Sequence, residues 1–353
     1  MITIQAENLG TVIEPTPDTG GEGTRRFEEF LEGAPTLFVC DSNPATVELV
    51  RGMVEGAGTN ATFRVAAEAP KLVELAAPEL KGKVLQVSRA QAQEEERQGL
   101  PPLLAEKGRK VFLATARPDP LFGIVDARVQ ACLDWVPGAH REAALARKDF
   151  EPTPFVRTAS YDEVEELANG FREARFLTVI PKGGKVRSVL ESASFDAVKN
   201  GFLDATMPPA RGVIVGAGGR GYDDTFSSAL RSVWGALVGV KKSGEVLLVS
   251  ECPRGLGSAA LGMLASGRIS AEGKSRSERY VDGLEEVYYL GKLKEEYGVL
   301  LLSGLPELFA KNKLGLATAR GSGEAVGRLL NKLGRTTKVN VFTRAAECRA
   351  VST

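Results

Sequence analysis

The feature that most constrains the fold of this chain is a cluster of glycines between an apolar run and a helical pattern. The stretch GVIVGAGGRGYDDTFSSALRSVWGALVGV, residues 212–240, has the order expected of a strand, a turn and a helix. Gly216, Gly218 and Gly221 also spell the G-x-G-x-x-G pattern of dinucleotide-binding loops. Units of this kind build parallel sheets, so the stretch predicts an α/β protein.

Short apolar runs and helical patterns alternate along the rest of the chain. LFVC at 37–40 precedes a turn and a helical pattern that ends at 56–58, and FLTVIPKGGKVRSVLE at 176–191 indicates a hairpin. In the second half, strands are predicted at 212–216, 245–250, 298–303 and 338–342, with helices at 224–239 and near 257–266. The alternation predicts mainly parallel sheets with helical crossovers.

Two consecutive prolines, Pro208 and Pro209, mark the predicted domain boundary, because they end one helical pattern just before the glycine unit begins. The chain of 353 residues is long enough for two cores. We therefore predict two α/β domains with mainly parallel sheets separated by a cleft. The first domain covers 1–207 and the second covers 208–353. The last strand of the second domain, 338–351, is the segment able to pack back toward the N-terminal domain.

The charge balance excludes several classes of partner. Lys+Arg and Asp+Glu both number 45, so no strong basic field exists to attract nucleic acid or anionic lipid. No apolar run reaches membrane-spanning length, and the N-terminal stretch lacks the pattern of a signal peptide. We expect a cytoplasmic protein with no nucleic-acid or membrane partner, and a homo-oligomer is left open.

The inventory of possible metal ligands is small. The four cysteines lie far apart and form no CxxC pair, which disfavours structural zinc and iron–sulfur sites and suits a reducing compartment. The chain has one histidine, His140, so sites that need two or more histidines from one chain are excluded. We expect no metal site.

The acidic residues after the glycines weigh against a dinucleotide. Asp223 and Asp224 at the helix entry are expected to cap the free N–H groups that a pyrophosphate needs, and to repel its charge. Glu251 ends the next strand, where a ribose-binding carboxylate belongs, but it lies 30 residues past Gly221 where about 20 is typical. An NAD(P)-binding enzyme using Gly216, Gly218 and Gly221 is kept as an alternative.

The same region resembles the C-terminal domain of the nickel-dependent lactate racemase family. In that family a strand ends in a Gly-Gly turn, an Asp precedes the helix, and a later strand ends in ECP-x-G-x-G. This chain has Gly218-Gly219, Asp223 and ECPRGLG at 251–257. Further stretches are similar to the family's first strand–loop–helix, its central strand–turn–strand–helix and its closing strand: 37–58, 176–202 and 338–351.

The resemblance implies proton or hydride exchange at a hydroxyl-bearing carbon next to a carboxylate. It also implies a nickel pincer nucleotide tethered to a lysine, one nickel-binding histidine and two acid–base histidines. This sequence departs from that pattern. Ser42-Asn43-Pro44-Ala45 stands in place of a Thr-Arg-Pro-Thr run, and Arg128 stands where the tether lysine is expected. Arginine cannot be deprotonated to form such a tether. We therefore expect a diverged protein without the nickel pincer, its cofactor unknown.

The cleft between the two domains is the expected binding site for a small carboxylate or hydroxy acid. The residues predicted to act there as catalytic groups are His140 and Asp41, and those predicted to bind substrate are Asn43, Arg128, Gly218, Gly219, Ser228, Arg231 and Glu251, with Arg117 as a further candidate. Arg231 shares a helix face with Ser227 and Ser228, so a guanidinium and two hydroxyls can meet one carboxylate. For each residue the alternative is a cap, a surface charge or an internal hydrogen bond.

Three functions follow from these observations. The first is a racemase-like isomerase fold that binds or acts on a small hydroxy acid or carboxylate. The second is a non-catalytic ligand-binding or regulatory protein, and the third is the NAD(P)-binding enzyme.

Overall fold

The computed structural model describes residues 9–13, 36–41, 43–57, 62–66, 84–87, 107–147, 149–270, 280–334 and 336–352. Ser42, named above in the stretch that departs from the Thr-Arg-Pro-Thr run, lies outside the described residues. No helix in the described ranges combines the length and the apolar character needed to cross a membrane.

Strands and helices alternate through the described residues. The strands are β1 (Leu9–Ile13), β2 (Thr36–Val39), β3 (Thr62–Ala66), β4 (Val84–Val87), β5 (Lys110–Thr115), β6 (Arg117–Asp119), β7 (Gly123–Val125), β8 (Ala174–Lys182), β9 (Lys185–Glu191), β10 (Leu203–Met207), β11 (Ala210–Gly216), β12 (Val240–Val249), β13 (Gly298–Leu302), β14 (Ala317–Thr318), β15 (Val339–Phe342) and β16 (Cys348–Ser352). The helices are α1 (Pro44–Ala57), α2 (Ala127–Trp135), α3 (Ala139–Ala146), α4 (Ala159–Asn169), α5 (Phe195–Gly201), α6 (Phe226–Ala236), α7 (Ala259–Ala265), α8 (Leu284–Glu296) and α9 (Ser322–Leu333).

The first six-stranded sheet has the order β4-β3-β2-β5-β8-β9. Its strands run parallel except for β8 and β9, which form the predicted antiparallel hairpin. Gly183 and Gly184 make its turn with φ of 61° and 77°, a region that glycine enters without strain. All six residues of β5 are buried, as expected for a central parallel strand covered on both faces.

The second six-stranded sheet is parallel throughout, with the order β1-β15-β11-β12-β13-β14. The four strands predicted in the second half of the chain are confirmed as β11, β12, β13 and β15. The two predicted helices are confirmed as α6, extended by a 3₁₀ turn at 237–239, and α7. The predicted fold class, α/β with mainly parallel sheets, is therefore correct.

The division of the chain at residue 207 stays a prediction, but sheet membership differs from it at one place. β1 lies within 1–207 in sequence, yet it pairs with β15 in the second sheet. The closing strand β16 returns to β10, and the two form a separate parallel ribbon from Leu203↔Cys348 to Met207↔Ser352. Sequence proximity cannot reveal such pairings, because the position of each strand in the sheet depends on a partner strand that is distant in sequence.

Helix α6 connects the two halves. One apolar stripe of the helix is buried, and it consists of Phe226, Leu230, Val233 and Leu237. On another side of the helix, a Cβ at Gly235 would lie 3.5 Å from Pro118 and 3.7 Å from Phe155, both in the first half of the chain. This close packing fixes α6 against β6 and so sets the position of the site.

Helix α6 begins later than predicted, and neither Asp223 nor Asp224 caps it. The N-cap is Thr225, whose backbone is extended (φ −135°, ψ 159°) and whose hydroxyl accepts from the Ser228 N–H at 3.2 Å. Asp224 instead accepts from the Gly221 N–H at 3.3 Å and closes the glycine loop. The predicted caps were wrong because the helix starts at 226 and not at 224.

Replacing the capping hydroxyl tests this assignment. We expect Thr225→Ala to lower the free energy of unfolding by about 1 kcal/mol, the usual cost of losing an N-cap. Asp223→Ala is the matched control and is expected to stay within about 0.5 kcal/mol of the wild type. Denaturant unfolding followed by circular dichroism measures both. A larger loss for Asp223→Ala than for Thr225→Ala would contradict the assignment.

Candidate functional site

A cavity of about 230 Å³ lies where the carboxyl ends of strands from both sheets meet. Its lining includes residues that end or follow β2 and β5 in the first sheet, and β11 and β12 in the second. Ligands of open α/β sheets bind outside the carboxyl ends of parallel strands. The cavity therefore occupies the place in this fold where a ligand is expected.

Six of the predicted site residues are brought together in the lining. They are Asp41, Asn43, Arg117, His140, Ser228 and Arg231. They come from segments separated by up to 190 residues in sequence, so their meeting is a property of the fold.

The structure corrects the placement of the other predicted residues, Arg128, Gly218, Gly219 and Glu251, which lie outside the lining. The Arg128 guanidinium donates to Glu165 at 2.6 Å and to the Ser192 carbonyl. Glu251 is exposed.

The two glycines serve the turn after β11. Gly218 has a φ of 138°, and a Cβ on it would lie 2.6 Å from the Tyr222 ring. Gly219 has a φ of 82°, and its carbonyl accepts from the Tyr222 N–H. Both are required for backbone geometry and not for ligand contact. Gly221 of the same pattern does line the cavity, with its Cα facing the Asn43 backbone.

Asp41 ties the ends of two neighbouring strands together. Its buried carboxylate accepts from the backbone N–H of Thr115, at the end of β5, and from that of Asn43 at 2.9 Å. Burial raises the pKa of this carboxyl, against the opposing effect of those hydrogen bonds and of the Arg117 charge. A carboxyl of raised pKa in a cavity can hold or accept a proton, so its predicted catalytic role stays a prediction.

Arg231 reaches the cavity, but its guanidinium is occupied by carboxylates of the protein. Nη1 donates to Asp119 at 2.9 Å, and Nε and Nη2 donate to Glu286 Oε1 at 2.9 and 2.6 Å. Glu285 lies 3.5 Å from Nη2. Two donors of the guanidinium thus converge on one oxygen of Glu286, and Arg231 joins α6 to β6 and α8.

His140 is held as a double donor. Nδ1 lies 2.7 Å from Asp282 and Nε2 lies 2.9 Å from Glu285. Burial alone lowers the pKa of this imidazole, but the Glu285 charge and the two hydrogen bonds outweigh burial and raise it to about 10. At neutral pH the ring is an imidazolium with both nitrogens engaged. The ring cannot accept a proton without breaking an ion pair, and its predicted catalytic role stays a prediction.

Three carboxylates that the sequence analysis missed form the floor of this region: Asp119, Glu285 and Glu286, here called the carboxylate cluster. Each is fully buried, with a side-chain exposure of 0%. The Tyr280 hydroxyl donates to Glu285 Oε2 at 2.9 Å, and the Ser227 hydroxyl donates to Glu286 Oε1. The adjacent acids at 285–286 resemble an ordinary exposed helix start in sequence, so only the packing of α8 against α6 reveals them.

Several polar atoms of lining residues are buried without a hydrogen-bond partner. They are Asn43 Nδ2, Tyr222 Oη and Glu286 Oε2. Their side chains are 2%, 3% and 0% exposed. Buried polar groups in folded proteins nearly always have partners. These three atoms therefore have hydrogen-bonding capacity that no described protein group uses.

The residues present do not fit the nickel pincer nucleotide. Among the described residues no lysine lines the cavity, Arg128 is turned away to Glu165, and both nitrogens of His140 are bound to carboxylates. Across the described ranges, no group of three or more His, Cys, Asp or Glu side chains is arranged to hold a metal ion.

Solved structures with the same fold agree with this architecture. The lactate racemase apoprotein from Thermoanaerobacterium thermosaccharolyticum is similar over 99% of this chain and 96% of its own, with a TM-score of 0.69 and 14% identity. The chain has a lactate-racemase-like fold. A structural-genomics protein from Thermotoga maritima is similar over 94% of this chain and 97% of its own, with a TM-score of 0.63 and 10% identity. No family model and no curated protein matches the sequence.

The charge state of His140 can be tested through the pH dependence of stability. Its folded pKa of about 10 exceeds the ordinary value of 6.5. Its contribution is therefore fully present below pH 6.5 and is lost as the pH rises toward 10. We expect His140→Gln to cost about 3 kcal/mol of unfolding free energy at pH 6, and the difference from wild type to shrink steadily up to pH 10.

Urea unfolding of both proteins across this pH range measures the difference. Arg141→Gln, which changes an exposed neighbour on α3, is the control and should show no such trend. A difference that stays constant with pH would contradict the imidazolium assignment.

Proposed function

We propose that this protein is a diverged, lactate-racemase-like protein that binds a small carboxylate metabolite in the cavity between its two sheets. The observation that carries the proposal is a set of hydrogen-bond donors at one end of the cavity: Arg117, Asn43 Nδ2 and Tyr222 Oη, here called the arginine end. Two of the three are buried donors without a partner.

The arginine end has the chemistry of a carboxylate site. Arg117 donates through Nη2 to Gln130 at 2.8 Å, and no described carboxylate lies within ion-pair distance of its guanidinium. Asn43 Oδ1 accepts a hydrogen bond from the Ala45 N–H at the start of α1, so Nδ2 points away from the helix start. A guanidinium with amide and phenol donors can satisfy both oxygens of a carboxylate.

The size of the cavity limits the ligand. About 230 Å³ is below the roughly 300–1,000 Å³ of sites for drug-sized ligands. A metabolite of the size of a short hydroxy acid fits this limit, and a dinucleotide does not. The acidic loop around Asp223, where burial and then the Glu251 and Asp224 charges raise the Asp223 pKa, also disfavours a pyrophosphate.

A non-catalytic binding or regulatory role is the second candidate. The observation that favours it is the state of His140, because its two ring nitrogens are held by Asp282 and Glu285. If the protein is an isomerase, the proton must pass through other groups. Asp41, with its raised pKa, and the Tyr222 phenol, which burial keeps protonated by raising its pKa, are the groups in position.

Removing the charge at the arginine end tests the proposal. A thermal-shift and calorimetric screen with three- to six-carbon carboxylates, both enantiomers of each, should identify at least one ligand of the wild type. We expect Arg117→Gln to weaken that ligand about 10- to 100-fold, the effect of losing one charge-assisted hydrogen bond. Arg220→Gln, in the exposed glycine loop, is the matched control. Unchanged affinity in Arg117→Gln, or no ligand at all, would defeat the proposal.

Lactate racemisation itself is expected to be absent. The chain lacks a lysine at the tether position and has a single, ion-paired histidine. The measurement is interconversion of D- and L-lactate by protein produced together with the enzymes that make the nickel pincer, beside an authentic lactate racemase as the positive control. Turnover above that of an empty-vector extract would show that the chemistry survives.

A further inference from the structure

We propose that the ligand of this cavity carries an ammonium group as well as a carboxylate, so that the protein recognises an amino acid in preference to the corresponding hydroxy acid. This inference rests on the proposed function and names the substrate class of the same site. It depends on the carboxylate cluster, of which Glu286 lines the same cavity as Arg117.

The first argument is the balance of buried charge. The three carboxylates of the cluster, Asp119, Glu285 and Glu286, are contacted by two cations, Arg231 and His140. One buried negative charge therefore has no cation of its own among the described residues. If the imidazole were neutral, the excess would be larger still. Buried charge without a counterion is costly, and an ammonium group entering the cavity supplies the missing positive charge.

The second argument identifies the atom that would receive the ammonium. Glu286 Oε1 accepts from Ser227 and Arg231, whereas Oε2 of the same fully buried carboxylate has no partner. An ammonium group brings three donors and no acceptor, which matches an unsatisfied carboxylate oxygen. A hydroxyl brings one donor and leaves the charge uncompensated.

The third argument is the residue that lies between Oε2 and the cavity. Gly283 lies beside Oε2 with a φ of 81°, and a Cβ added there would be 2.9 Å from Oε2 and 2.6 Å from the Ser258 hydroxyl. Gly283 and Ser258 both line the cavity. Any side chain at 283 would press against the carboxylate, and glycine keeps the cavity wall beside Oε2 free of side-chain atoms.

Other charges in the lining do not offset this excess. Asp224 and Arg254 contribute one charge of each sign, and Arg117 and Asp41 contribute another such pair. Asp134 and Asp282, which also line the cavity, add two further carboxylates. A carboxylate ligand without an amine would add net negative charge to a cavity that already has an excess. A zwitterion brings one charge of each sign.

The experiment compares ligands that differ only in the group on the α-carbon. Alanine and lactate, serine and glycerate, aspartate and malate, and glutamate and 2-hydroxyglutarate are titrated as both enantiomers into the wild type by calorimetry near pH 7.5. We expect the amine member of at least one pair to bind at least 10-fold more tightly than its hydroxy counterpart. A hydroxy member that binds as tightly or more tightly overturns this inference and leaves the proposed function standing. If no member of any pair binds, the inference and the proposed function both fail.

A variant tests the atom. Glu286→Gln keeps an oxygen for Ser227 and Arg231 but removes the negative charge, and we expect the amine preference to fall about 10-fold. Glu295→Gln, at the exposed end of the same helix, is the matched control. A Glu286→Gln protein that keeps the full preference contradicts the assignment of Oε2. If this variant does not fold, the comparison of ligand pairs on the wild type still decides the proposal.

Discussion

The arrangement of this molecule depends on one buried ion-pair network, in which Arg231 of α6 binds Asp119 of β6 and Glu286 of α8. A charged group in a protein interior is stable only when it is paired and hydrogen-bonded. The pairing therefore holds together three elements from both halves of the chain. The same network explains why charged side chains line the cavity, because Arg231 and Glu286 belong both to the network and to the lining.

The cavity has two chemically different ends because of how each wall is built. On one side, the Asp41 carboxylate joins β2 to β5 and leaves Arg117, Asn43 and Tyr222 with donor capacity facing inward. On the other side, the carboxylate cluster takes up Arg231 and His140 and leaves an acceptor unsatisfied. A ligand that matches both groups of side chains carries an anion and a cation. A site that binds any anion would instead have a free guanidinium in both places.

The local sequence pattern was sufficient to predict much of the fold, but it predicted a smaller part of the site. The strands at 212–216 and 298–303 and the hairpin at 176–191 are confirmed because their apolar runs and turn glycines act locally. The predicted N-cap nearest to the observed one was wrong by one residue, since Thr225 and Asp224 are both good caps and only backbone geometry distinguishes them. Asp119, Glu285 and Glu286 could not be found from sequence, because their burial depends on cationic partners between 54 and 145 residues away.

The place of β1 in the second sheet has a consequence for the order in which the molecule is assembled. Leu9 pairs with Val339, and β15 also pairs with β11. During synthesis, β1 leaves the ribosome more than 300 residues before β15, the strand with which it pairs. Contacts so distant in sequence form late and slowly. Until β15 has been made, the edge of β11 that pairs with it stays uncovered in the nascent chain. An uncovered strand edge can pair wrongly with other chains, so the chain is most prone to aggregation at this stage.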